Sequence, residues 1–164
     1  MKKVLLMAVA IVATAVEVSA ALIDRATDFI AREEGFRSTP YTCPGGQRTI
    51  GYGCAEPSVV AKGTITREEA RSVLRSRVEE EIKWIRTRIP HLNENQLIAV
   101  CSLRYNIGKT RFVNSKAYQY LRAGKLLRAV DEMSQFRLVD GKINQGLVER
   151  RTRERNMFLS PYTK

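Results

Sequence analysis

Residues 34–54 read Glu34-Gly35-Phe36-Arg37-Ser38-Thr39-Pro40-Tyr41-Thr42-Cys43-Pro44-Gly45-Gly46-Gln47-Arg48-Thr49-Ile50-Gly51-Tyr52-Gly53-Cys54. Pro44-Gly45-Gly46 is turn chemistry, and Thr49, Ile50 and Tyr52 have β character with Gly51 and Gly53 between them. This pattern predicts a small hairpin or three-stranded sheet. Toward the N-terminus, Leu22, Ala26, Phe29 and Ile30 recur at helical spacing. They predict a helix from about Leu22 to Glu34, stopped by Gly35. Toward the C-terminus, Thr66-Arg67-Glu68-Glu69 is a capping box that starts a long charged helix to about Arg88, before Pro90. Ala70, Val73, Leu74, Val78 and Ile85 mark its buried stripe. Asn93 to Gln96 is a second cap, followed by an apolar helix over Leu97–Ile107 that ends at Gly108. Shorter helices are expected at about 115–123, 126–135 and 147–158. The fold class is therefore α+β, a small N-terminal sheet lobe packed beside a larger helical lobe.

The 164 residues suit one domain, expected over 21–164 and to act as a monomer. A hydrophobic content of 44% can build a core, which excludes a disordered basic tail. Three cysteines at distant positions 43, 54 and 101 exclude a zinc ribbon or finger. No glycine-rich phosphate loop is present, so no nucleotide chemistry, cofactor or metal is expected.

Residues 1–20 read differently from the rest. Lys2 and Lys3 precede an unbroken apolar run of 13 residues, Val4–Val16, and small residues at Val18 and Ala20 fit a signal-peptidase site after Ala20. The run is shorter than the about 20 residues needed to span a bilayer, though Val18 to Ile23 would extend it past Glu17. The segment is read as an export signal used by the host secretion machinery, or as a weak, uncleaved anchor in the inner membrane through residues 4–23. Either way the remainder is expected in the periplasm. The net charge of +11 calls for an anionic partner. Export argues against nucleic acid and for cell-envelope polymers.

Glu34 closes the first helix on the side of its apolar stripe, four residues from Ile30. Apolar surroundings disfavour a charged carboxyl, the condition a general acid needs. Glu33 beside it is expected to be an ordinary solvated carboxylate. Eight residues separate Glu34 from Cys43, five separate Cys43 from Thr49, and Ile50-Gly51-Tyr52-Gly53 follows. This resembles the phage-type lysozymes, glycoside hydrolase family 24, whose signature is Glu, eight residues, Asp or Cys, five residues, Thr, then Ile-Gly-x-Gly. Tyr105-Asn106-Ile107-Gly108 and Gly146-Leu147-Val148-Glu149-Arg150-Arg151 are similar to two later segments of that family, so the resemblance covers residues 22–159.

The resemblance implies a lysozyme-like fold. It also implies a muramidase that cuts peptidoglycan glycan strands between N-acetylmuramic acid and N-acetylglucosamine, in the role of a phage endolysin. It casts Glu34 as the acid, with Cys43 and the Thr49 hydroxyl serving the opposite face of the sugar. It pairs Glu34 with an arginine of the late helix, for which Arg150 is the candidate among Arg150, Arg151 and Arg153. A thiol is a weaker base and counter-charge than the commoner Asp, so Cys43 can also be read as a disulfide partner of Cys54, caging the site. The other reading of Cys54 is a small buried side chain where the family often has His, and Cys101 reads as a core thiol. Tyr41 and Tyr52 border the hairpin and can be read as sugar-stacking or as strand packing. His91, Trp84 and Phe136 read as surface, packing and core residues. The competing function is a non-catalytic, cationic envelope-binding protein on the same fold, supported by the charge and the missing Asp.

Overall fold

Helix α1 (Ala20–Glu34) starts on Ser19, whose hydroxyl accepts from the Leu22 amide at 3.2 Å, and stops at Gly35 with φ +66°. The computed structural model describes residues 18–43 and 46–161. The apolar run Val4–Val16 lies outside them, so neither export reading is addressed by the fold. Among the described residues, no helix is long and apolar enough to cross a membrane.

Strand β1 (Arg37–Thr42) pairs antiparallel with β2 (Arg48–Gly51), in the register Tyr41↔Thr49 and Thr42↔Arg48. The register shifts between Arg37 and Tyr41. Pro40 lies in that interval and has no N–H for the ladder. This sheet has no third strand among the described residues; a single bridge between Ile50 and Cys54 closes the turn Gly51-Tyr52-Gly53. Gly51 is required at its position: φ is +66°, and a Cβ would stand 2.9 Å from the Ala70 Cβ.

A one-turn helix α2 (Pro57–Val60) follows, with Pro57 at its first position, and leads to α3 (Arg67–Arg88). The Thr66/Glu69 capping box is formed as expected, and the buried face is Ala70, Leu74, Val78, Glu81, Ile82 and Ile85. At about 33 Å by helical rise, α3 is long enough to pack against both β2 and the helical lobe. Helix α4 (Glu94–Ile107) is capped by Asn93 and Gln96 and is buried from Leu97 through Arg104. An all-round apolar sequence there makes it the central core helix, contacting α1, α3 and α8.

The helices α5 (Lys109–Val113), α6 (Lys116–Arg122) and α7 (Leu126–Met133) complete the lobe before α8 (Gln145–Leu159). Helices α2 and α5 are not anticipated by the sequence reading; four and five residues are too few for a periodicity. A second hairpin, β3 (Leu138–Val139) with β4 (Lys142–Ile143), is also new. Asp140 and Gly141 take φ +49° and +74° at its turn, a two-residue hairpin signal that the sequence does contain.

Candidate active site

A cleft of about 620 Å³ runs between the sheet lobe and the helical lobe, lined by Gln47, Gly53, Arg77, Glu81, Arg104 and Tyr105 among others, and Glu34 lies beside it. Gly53 joins Glu34 to it: a Cβ on Gly53, at φ +74°, would stand 3.2 Å from Glu34 Oε2. The Glu34 side chain is 18% exposed, and Arg150 Nη1 donates to its Oε1 at 2.8 Å. The three arginines of the late helix reach different long-range partners, although Arg150 and Arg151 share Glu154. Arg150 reaches Glu34; Arg151 donates to Asn106 Oδ1 at 2.9 Å; Arg153 forks onto Glu33 at 2.7 and 2.9 Å. Glu33 is therefore not the solvated carboxylate expected: its side chain is only 4% exposed, covered by Arg153.

Arg150 is buried and held on three sides. Its Nε donates to Glu154 Oε1 at 3.2 Å, and its Nη2 donates to the Ser102 carbonyl at 3.2 Å and the Ser102 hydroxyl at 3.3 Å. Ser102 in turn donates to Glu154 at 2.7 Å. Burial opposes the charge of Arg150, but the carboxylates of Glu34 and Glu154 outweigh it and raise its pKa. Burial pushes the Glu154 carboxyl up, with Arg151 and Arg150 pulling the other way. Burial also dominates at Arg151, whose pKa falls despite Glu154. Glu154 was not singled out by the sequence reading, although its place four residues after Arg150 is the spacing of a helical ion pair. Ser102 had no such signal, being 48 residues from Arg150 in the chain.

Cys43 follows β1 and is half-buried; its N–H donates to the Gln47 carbonyl at 2.9 Å, and its carbonyl accepts from the Gly46 amide at 2.8 Å. Thr49 is buried on the paired arm of the hairpin, and its hydroxyl has no partner among the described residues. Glu34, Cys43 and Thr49 thus belong to the end of α1 and the two arms of one hairpin. All three cysteines are free thiols. Cys54 packs with Ile50, Ile65, Leu74 and Tyr105, as the core-filling reading has it. Cys101 is fully buried, and burial pushes its thiol up to about 12.

Tyr52 is 8% exposed, with its ring against Phe36 at a centroid distance of 5.5 Å, so it packs the strand instead of offering a sugar-stacking face. Tyr41 is half-buried and has the Arg37 guanidinium 4.7 Å over its ring. At the far wall of the cleft, Arg104 pairs with Glu81 and stacks 3.9 Å over Trp84, and Lys109 lies 3.4 Å from Glu81. Trp84 also packs against Phe112 and Tyr118. Phe136 packs partly buried against the core, and His91 sits exposed in a turn.

A half-buried carboxylate clamped by arginine, beside a cleft between a small sheet lobe and a helical lobe, defines a lysozyme-like protein. Residues 31–154 match the sequence profile of the phage lysozyme family. The chain belongs to that family. It is 36% identical over 141 residues to an endolysin of Salmonella phage P22, covering 80% of this chain and 92% of the relative. It is 32% identical over 134 residues to an endolysin of Bacillus phage B103, covering 80% of this chain but only 51% of that longer relative. A protein named SAR-endolysin, from bacteriophage PS119, is 28% identical over 130 residues, covering 77% of this chain and 76% of that one. Among solved structures, the muramidase domain of SpmX from Asticcacaulis excentricus superposes with a TM-score of 0.71 at 25% identity, covering 88% of this chain and 99% of that one.

Proposed function

We propose that this phage-type lysozyme, a peptidoglycan-hydrolysing glycosidase, cuts the β-1,4 bond between N-acetylmuramic acid and N-acetylglucosamine, with Glu34 as general acid. The observation that carries the reading is the one-sided clamp on Glu34. Arg150 occupies Oε1, while Oε2 lies on the Gly53 side of the carboxyl, where the cleft begins. The protonated Glu34 gives its proton to the departing glycosidic oxygen as the bond to the muramic C1 breaks. A water adds to that carbon from the opposite face and releases its proton to solvent. Cys43 and Thr49 orient this water. The buried Thr49 hydroxyl, without a partner among the described residues, supports that role, since a buried polar group calls for one.

Digestion of purified peptidoglycan, with product masses read out, tests the reading. Fragments ending in hydrated, reducing N-acetylmuramic acid, absent with Glu34→Gln, are the expected result. Anhydro ends, undiminished cleavage by Glu34→Gln, or no fragments from the unsubstituted chain would each overturn it. The last would leave the cationic envelope-binding role.

Residues 1–20 carry the chain through the host secretion machinery to the periplasm, where the enzyme opens the wall for release of phage progeny. The segment is retained after export and first tethers the protein to the inner membrane. Support comes from Ser19, which caps α1 and accepts the Ile23 amide on its carbonyl at 3.2 Å. Cleavage after Ala20 would remove both contacts. The mass of the N-terminal peptide from periplasmic protein tests this, and a start at Ala21 would overturn it.

A further inference from the structure

Tyr105 lies on α4 with its ring at the cleft wall, and its hydroxyl donates to the Tyr52 carbonyl at 2.9 Å. The bond joins the helical lobe to the hairpin lobe. Tyr52 is the middle residue of the turn whose two glycines take φ of +66° and +74° and whose ends are tied by paired 2.9 Å bonds between Ile50 and Cys54. The turn therefore moves as one unit, and the Tyr52 carbonyl is the point at which α4 grips it.

The same face of α4 holds the other half of the site. Ser102, one helical turn before Tyr105, accepts from Arg150 on both its carbonyl and its hydroxyl. One oxygen of Glu34 is thus set by Ser102 through Arg150, and the other is bounded by Gly53 through the turn. We infer that Tyr105 is a positioning residue for Glu34: through the Tyr52 carbonyl it holds Gly53 against Oε2 and so fixes the direction of the acid. This inference rests on the muramidase reading and names a residue that the Glu-Cys-Thr spacing does not include.

A phenylalanine would fill the same volume, so packing alone does not account for the hydroxyl. Burial, then the Glu34 carboxylate, push the phenol up to about 12 against the pull of Arg77, so the hydroxyl keeps the proton it donates. The consequence is kinetic. Without the bond the turn loosens, Oε2 samples more directions, and fewer bound complexes are aligned for proton transfer, while the rest of the cleft still binds glycan.

The test compares the full chain with Tyr105→Phe, Gly53→Ala and the double variant, by steady-state cleavage of purified peptidoglycan and by thermal melting. Tyr105→Phe is expected to lower kcat about tenfold, with KM within about twofold and melting little changed. Gly53→Ala crowds Oε2 and strains the turn at φ +74°, so it too lowers kcat. Because both act on one contact, the double variant loses less than the product of the two. Tyr105→Phe with unchanged kcat, a loss in KM alone, a kcat loss that tracks a fall in melting temperature, or multiplicative losses in the double variant would overturn the positioning role. Failure of the unsubstituted chain to cleave would instead overturn the muramidase reading beneath it.

Discussion

At the scale of single residues, the site depends on Arg150, which pairs with two carboxylates at once and is itself shut off from water. Removing one partner of a buried ion pair leaves the others unpaired in a poor dielectric, at a cost of about 3–5 kcal/mol. Arg150→Ala is expected to lose stability on that order in a urea melt, as well as activity. Arg150→Lys restores the charge but not the fork that meets Glu34, Glu154 and Ser102 together, so it should recover only part of the stability. Cys43 gives a second prediction. If its sulfur only orients water, Cys43→Asp places a stronger acceptor at the same point of the hairpin. Peptidoglycan cleavage should then survive in Cys43→Asp and fall by up to about a hundredfold in Cys43→Ala.

At the scale of elements, α1 has two tasks: its C-terminal end presents Glu34, and its N-terminal end starts at Ser19. An N-cap serine is worth about 1 kcal/mol. For a domain of this size that corresponds to about 2–4 °C in melting temperature. Protein beginning at Ala21 should melt lower than protein beginning at Ser19 by this amount in paired thermal scans. The hairpin shows how an element's geometry reaches the site. The ladder slips around Pro40, the turn closes on Gly51 and Gly53, and the second glycine lies against the carboxyl at the end of α1.

At the scale of the whole molecule, the buried thiol of Cys101 and phenol of Tyr105 make alkaline stability a property of the fold. Both are held near 12 in the folded chain, above the ordinary values of 9.0 and 10.0, with burial the leading cause. A raised acid pKa means that the folded state keeps a proton which the unfolded chain gives up. The stability tied to Cys101 is therefore complete below about pH 9 and drains away as pH climbs toward 12. Melting temperatures recorded at pH 8 and pH 11 should fall less between the two for Cys101→Ala than for the unsubstituted chain.

Sequence pattern alone determined whatever depends on neighbours along the chain. The Thr66/Glu69 and Asn93/Gln96 caps, the stops at Gly35 and Gly108, and the glycine-rich hairpin are all local chemistry. The spacing of Glu34, Cys43 and Thr49 sits within a single stretch for the same reason. Short elements escaped it, because α2, α5 and the two-residue strands of the second hairpin hold too few residues to show a period. Tertiary structure alone decided which long-range partner each arginine meets. Arg150, Arg151 and Arg153 look alike in the text, but the rotation of α8 against α1 and α4 sends them to Glu34, Asn106 and Glu33. It also buried Glu33 and Tyr52, and it brought Ser102 and Tyr105 to the site. Contacts between residues 45 to 120 positions apart are set by how helices pack, and packing follows from the shape of the whole core, which no local pattern contains.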